Sequence, residues 1–203
     1  MNEGQPAASV SGPARIGSSF DRRRFLLGTA TATGLALTGA GLGTASAATD
    51  DDLATANFAL ASSFLVAGLY AEALESGKLG PGARSLLRSG RAAANGHAKE
   101  LTALLTGAGD TPAAAEDFAF EWPAGTFATA ASIRRTALGV LRPVRAHYQR
   151  AAATLGEPTY RVLFASLAAS HGEQIGLLGG SVEPFPLSLD LEAASAALES
   201  YLG

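Results

Sequence analysis

The chain of 203 residues carries 15 Lys and Arg against 18 Asp and Glu, with 47% hydrophobic side chains and 16% charged ones. A formal charge of −3 without a long basic run excludes the electrostatic footprint of a nucleic-acid binder, and the hydrophobic content suits one globular domain rather than a disordered chain. The absence of cysteine excludes disulfides, thiolate metal sites, iron–sulfur clusters and cysteine nucleophiles.

The N-terminus reads as a targeting segment. A polar stretch leads to FDRRRFLLG, then to a weakly apolar segment rich in Gly, Thr and Ala, then to ASA. This resembles a twin-arginine export signal, with Arg22 and Arg23 as the paired arginines, Phe25 and Leu26 as the apolar positions after them, and Ala45 and Ala47 as the small residues of a cleavage site. Residues 1–47 are therefore expected to be a signal peptide cut after Ala47. The rest then has eleven cations against sixteen acids, a balance of −5. An uncleaved anchor is the alternative, but the glycines at 28, 34, 39, 41 and 43 make a poor spanning helix. The resemblance implies the twin-arginine machinery as a partner and a location outside the cell or in the envelope or periplasm.

From Leu53 to Ala71 no side chain is charged. Leu53, Asn57, Leu60, Phe64, Ala67, Ala71 and Leu74 recur at steps of three and four, which predicts a helix over about 51–76 with one buried stripe. The run approaches the ~20 residues needed to cross a bilayer, but Thr55, Asn57, Ser62 and Ser63 favour a core helix over a transmembrane segment. Asp50, Asp51 and Asp52 complement its N-terminal dipole, and Gly77, Gly80 and Pro81 end it. A second helix over about 81–106 places Leu87, Gly90, Ala94, His97, Leu101 and Leu104 on one stripe. A long connection follows, and its Phe118, Phe120 and Trp122, with Phe127, read as a cap on the core or, less simply, as a binding patch. The third helix, about 126–154, has Ile133, Ala137, Val140, Val144, His147 and Ala151 on its stripe and Pro143 within it as the expected cause of a kink. The fourth, about 158–178, carries Tyr160, Phe164, Leu167, His171, Gln174 and Leu178. The tail PFPLSLD leads to a last amphipathic helix near 191–202.

Several segments together carry a family resemblance: NFAL with the run to Tyr70, His97 with Leu101, HYQRAA around Tyr148, SLAASHGEQ before a Leu-Leu-Gly-Gly end, and PFPLSLD. In order and spacing they resemble the exported ferritin-like proteins. The resemblance implies an all-α fold: a ferritin-like four-helix bundle over 48–180, a long connection between helices two and three, and a tail with an extra C-terminal helix over 181–203 packed on the bundle. It also implies a di-iron or di-manganese centre held by a Glu from each of two helices and a Glu-x-x-His from each of the others. The reason is chemical: hard cations need carboxylate oxygens, and an i,i+3 pair sets two ligands on one helix face.

Carried onto this sequence, that ligand layer falls on Ser63, on Ala94 with His97, on Leu141, and on His171 with Gln174. One histidine matches and none of the four carboxylates does, so a dinuclear cation site would lack anionic compensation at a cost of several kcal/mol per ion, as an order of magnitude. A displaced site drawing on Glu72, Glu75, Glu100 or Glu173 is disfavoured because Glu72, Glu100 and Glu173 lie off the central stripes. His97, His147 and His171 all fall on core stripes, yet His147 lies roughly 9 Å beyond the layer at ~1.5 Å per residue, which strains a common zinc or copper site. The favoured expectation is a buried polar cluster in which Ser63, His97, His171 and Gln174 satisfy one another or hold water. Ser170 beside His171 is mere adjacency, and Glu157 and Glu183 read as solvated acids in connections.

Two functions remain in view. The first is a non-enzymatic exported bundle without a cofactor, acting as an interaction or stress-protection module with an envelope protein or a second copy as partner. The second is a mononuclear metal-binding or oxidoreductase protein that holds a single transition-metal ion on His97 and His171.

Overall fold

The computed structural model describes residues 48–182 and 188–202. The expected signal residues Arg22, Arg23, Phe25, Leu26, Ala45 and Ala47, and Glu183 of the tail, lie outside the described residues. Five α-helices follow in order: α1 (Asp50–Glu75), α2 (Pro81–Gly107), α3 (Ala130–Thr154), α4 (Pro158–Leu177) and α5 (Leu191–Leu198).

Local chemistry sets most of the ends. Thr49 and Asp52 form a capping box at the start of α1: Thr49 Oγ1 accepts from Asp52 N at 3.2 Å, and Asp52 Oδ2 accepts from Thr49 N at 2.8 Å. Asp52 is fully buried, because its other oxygen accepts from Gly156 N at 3.2 Å and so pins the α3–α4 turn to the start of α1. Pro81 and Pro158 occupy first-turn positions of α2 and α4, where no amide hydrogen is needed. Glu157, read from sequence as a solvated acid, is instead the N-cap of α4, its carboxylate accepting from Thr159 N at 3.1 Å. α3 begins at 130 rather than 126, because Gly125, at φ +81°, turns the chain and Thr129 with Ser132 forms the capping box. It passes through Pro143 as one helix.

Contacts between the ends fix the topology. Asn57 Nδ2 donates to Asp110 Oδ2 at 2.7 Å, bringing the end of α2 beside the start of α1. Arg134, near the start of α3, donates to the carbonyls of Leu178 and Gly179 at the end of α4. With the bond from Gly156 to Asp52, these contacts give an up-down-down-up order: α1 is parallel to α4 and antiparallel to α2 and α3. The connection from 108 to 129 must therefore cross the full length of the bundle.

That crossover changes the reading of α1. The stripe expected to be its buried seam includes Asn57, Phe64, Ala67, Ala71 and Leu74, all of which are only half-buried. The deeper faces carry Ala56, Ala59, Ser63, Val66, Tyr70 and Ala73 on one side and Phe58, Ser62, Leu65 and Leu69 on another. The crossover roofs the remaining side. Phe118 lies on Phe64 with ring centroids 5.7 Å apart, a Cβ placed on Gly68 would stand 3.3 Å from the Phe120 ring, and Trp122 Nε1 donates to Glu72. The aromatic connection thus covers α1, and the C-terminal segment closes over it through the Glu121 N to Tyr201 O bond of 3.0 Å. α1 is long and apolar enough to cross a membrane by length and composition, and 78% of its apolar window is buried inside the bundle. The seam of α2 also shifts by one position, with Ala98 and Leu105 buried where His97 and Leu104 were expected.

Candidate functional site

The middle of the bundle holds a layer of polar side chains contributed by all four long helices. On α4, His171 is 3% exposed, and its Nδ1–H donates to the Leu167 carbonyl at 2.9 Å, one turn back. That bond fixes the tautomer and leaves Nε2 as a lone pair, buried and without a partner. His97 of α2 faces it with ring centroids 6.0 Å apart, half-buried at the edge of the α2 seam, and its Nδ1 is likewise buried without a partner. The ring of Tyr148, from α3, meets His171 edge-on at 5.2 Å and Phe164 at 5.3 Å.

Burial dominates the electrostatics of this layer. It lowers His171 to about 4, assisted by the neighbouring His97 and opposed by the Leu167 bond. His97 is lowered by burial too, with Glu100 pulling the other way. Both imidazoles are therefore neutral at physiological pH. The Tyr148 phenol is raised by burial, with the hydroxyls of Ser62 and Ser63 partly opposing the rise. No hydrogen bond joins Ser62 to the phenol, and Ser62 Oγ is left buried without a partner.

Ser63, the helix-one position of the expected layer, stands at the Tyr148 end of this group. Its hydroxyl donates to the Ala59 carbonyl at 2.8 Å, and the same carbonyl receives the Tyr148 hydroxyl at 3.4 Å. Gln174 sits at the other end, where Oε1 accepts from the Tyr70 hydroxyl at 3.0 Å. Tyr70 fits there only because Gly90 lies beneath it: a Cβ on Gly90 would stand 2.6 Å from the Tyr70 ring and 3.4 Å from Gln174 Oε1. Ala94 and Leu141 are buried and supply no polar atom. Ser63, His97, His171 and Gln174 thus do not hydrogen-bond to one another, which corrects the first form of the expected cluster and leaves its water-holding form as it stands. Ser63 and His171 bond to backbone carbonyls, Gln174 to a tyrosine, and each histidine keeps a buried nitrogen without a partner.

Two residues that sequence reasoning used only as landmarks, Tyr70 and Tyr148, organise the layer. The available signal was that a tyrosine on a core stripe must carry its hydroxyl to a partner. His147 lies apart: its Nδ1–H donates to the Leu189 carbonyl at 3.2 Å, its ring meets Phe58 edge-on at 4.9 Å, and burial lowers its pKa. It therefore anchors the tail to α3. Glu72, Glu75, Glu100 and Glu173 are all exposed, and among the described residues no group of three or more His, Cys, Asp or Glu is placed to hold a metal ion.

With this geometry established, comparison with known proteins adds the family. The model of the ferritin-like domain matches residues 51–182. The chain belongs to the ferritin-like domain family. No curated protein and no solved structure matched it. The family implies a dinuclear centre of hard cations between the four helices, and the donors present do not fit one. The layer of this ferritin-like domain offers two neutral imidazoles, a carboxamide, two phenols held protonated by burial, and a serine hydroxyl. Without a carboxylate the charge of two divalent ions has no compensation in the buried interior.

Proposed function

We propose that this chain is an exported ferritin-like bundle that has lost the carboxylate ligands of a dinuclear centre and serves as a non-catalytic interaction or stress-protection module in the envelope or outside the cell. In this reading residues 1–47 are a twin-arginine signal cut after Ala47, residues 48–180 form the bundle, and residues 181–203 pack on it as a tail. The observation that carries the proposal is the neutral, tyrosine-organised layer at the centre. Ser63, Ala94, Leu141 and Gln174 stand at four of the positions that would have to bind cations, and none can supply a negative charge. What the layer does instead is mechanical, since Tyr70 to Gln174 and Tyr148 to the Ala59 carbonyl tie helices across the core.

The test is elemental analysis of the protein recovered after export: trace metal supports the proposal, and about two metals per chain would refute it. Export itself is tested by Arg22→Lys with Arg23→Lys, which should hold the protein inside the cell; unchanged export would remove the signal from the proposal.

A second reading has a specific observation behind it. Nε2 of His171 and Nδ1 of His97 are both buried without a partner on rings whose centroids lie 6.0 Å apart, and neutral imidazoles are transition-metal ligands. A single bound ion there predicts about one metal per chain, lost in the His97→Ala, His171→Ala protein. Retention of the metal in that variant would locate it elsewhere.

A further inference from the structure

The exposed side of α2 carries a charge pattern that the bundle does not use. Between Lys78 and Lys99 lie five cations, Lys78, Arg84, Arg88, Arg91 and Lys99, and no acid. The rest of residues 48–203 then has six cations against sixteen acids, a balance of −10. At 100° per residue, positions 84, 88, 91 and 99 fall within about 80° of one another, so they form one row along the helix. All five cations are exposed, while Leu87, Gly90, Ala94, Ala98, Leu101 and Leu105 hold the helix to the core. Among the described residues no acid pairs with any of them. Beside the row the exposed positions are small, Gly82, Ser85, Ser89, Ala92 and Gly96, so the arginines stand above their surroundings.

We propose that this face of α2 docks the protein on an anionic phospholipid surface. Guanidinium groups match phosphate oxygens with paired hydrogen bonds, and three of the five cations are arginines. Along the axis the row is unevenly spaced, with gaps of roughly 6, 4.5 and 12 Å at 1.5 Å per residue. Laterally mobile headgroups can gather at such a spacing, whereas a polymer with a fixed phosphate repeat meets it poorly. The strongly acidic remainder of the bundle is repelled by the same surface and turns α2 toward it. The exposed large hydrophobic residues Val162, Leu177 and Val182 lie on α4 or just after it, so attachment through α2 is electrostatic, without insertion, and reversible by salt. The inference rests on the interaction-module reading only for the compartment in which the surface is met. Metal analysis tests that reading and leaves this one standing or falling on lipid binding.

The experiment is flotation of the full chain with phosphatidylglycerol–phosphatidylcholine vesicles and with phosphatidylcholine vesicles, at low and high salt. The comparison protein is Arg84→Gln, Arg88→Gln, Arg91→Gln, which shares the N-terminal arginines and alters only exposed groups. At about fivefold per cation near the surface, the triple variant should lose roughly 100-fold in partitioning to anionic vesicles. The matching triple Lys variant should stay within a few-fold of the wild type, and high salt should release both. Equal binding to neutral and anionic vesicles, or wild-type binding by the triple Gln variant, would overturn the proposal. So would retention on poly(glycerol phosphate) without vesicle binding, which would assign the face to a polymer.

Discussion

Gly90→Ala isolates the contact that holds the polar layer in place. The new methyl would stand 2.6 Å from Tyr70 Cε2 and 3.2 Å from Cδ2, about 1 Å inside normal carbon contact. Tyr70 cannot simply rotate away, since it is fully buried between α1 and α2 and its hydroxyl is held by Gln174. Overpacking of this kind costs roughly 1–3 kcal/mol. If the ring retreats far enough to break the bond to Gln174, a further 1–3 kcal/mol, roughly, is lost from the unsatisfied buried pair. Against this, exchanging glycine for alanine inside a helix gains about 1 kcal/mol. The net expectation is a loss of about 2 kcal/mol, or a melting midpoint lower by about 4–8 °C for a domain of this size. Gly96→Ala supplies the control. It lies on the same helix with open space where its Cβ would be, so only the propensity term acts and the midpoint should rise by about 2–4 °C. Thermal and urea unfolding of both variants measure the difference. If Gly90→Ala proves as stable as Gly96→Ala, the close packing of Tyr70 on α2 is wrong, and so is the role assigned to that tyrosine.

Three further outcomes follow from the same interior. His171 is neutral in the folded protein until about pH 4, against an ordinary value of 6.5, so between these values the unfolded chain binds the extra proton. Stability present above pH 6.5 is therefore lost as the pH falls toward 4, by at most about 3 kcal/mol. His171→Leu should flatten that slope in urea titrations, and an unchanged slope would place the proton uptake on another group. Asp52→Ala removes the acceptor of Thr49 N, Thr49 Oγ1 and Gly156 N at a fully buried position, and should cost about 2–3 kcal/mol by equilibrium unfolding. Arg134→Ala frees the Leu178 and Gly179 carbonyls at an exposed helix end, where water replaces the guanidinium; it should cost under about 1 kcal/mol and speed amide exchange only near the α4 terminus.

The helices were legible because their punctuation is chemical. Three Asp in the first turn of α1, Pro at the start of α2 and α4, and Gly after α1 and α4 leave few alternatives, and the helix ends fall within a few residues of expectation. The stripes of α3 and α4 were legible for a related reason: charged residues such as Arg135, Arg142 and Arg150 mark which side of α3 must face water. α1 offers no such mark between Leu53 and Ala71, so its periodicity could be drawn along more than one line, and the line chosen runs down the side that the crossover covers. The crossover was read as a cap on the core. Phe120, Trp122 and Phe127 do pack against it, and the end contacts add that the connection reaches them by running the length of α1.

The polar layer was harder to read because it depends on axial stagger, which no single helix encodes. Gly90 with Gln174, and His97 with His171, are neighbouring pairs between the antiparallel α2 and α4, yet seven residues separate the first members and three the second. That mismatch, roughly 10 Å against 4.5 Å of rise, is absorbed by side-chain reach, and a count along each helix cannot anticipate it. The position of Ser63 follows likewise from the register of α1 against α3, where its hydroxyl and that of Tyr148 share the Ala59 carbonyl. The uncharged run of α1 bears on the same point. Ser63 lies on a buried face of α1, far from the exposed Glu72 and Glu75 at its C-terminal end, so a carboxylate placed there has no solvent to reach. An acid at Ser63 would stay ionised only beside a bound cation, and the facing helices provide no second acid to help hold one there. The burial of the Ser63 face of α1 and the neutrality of the central layer are therefore two consequences of one condition. Restoring a single carboxylate, as in Ser63→Glu, should destabilise the bundle rather than create a metal site.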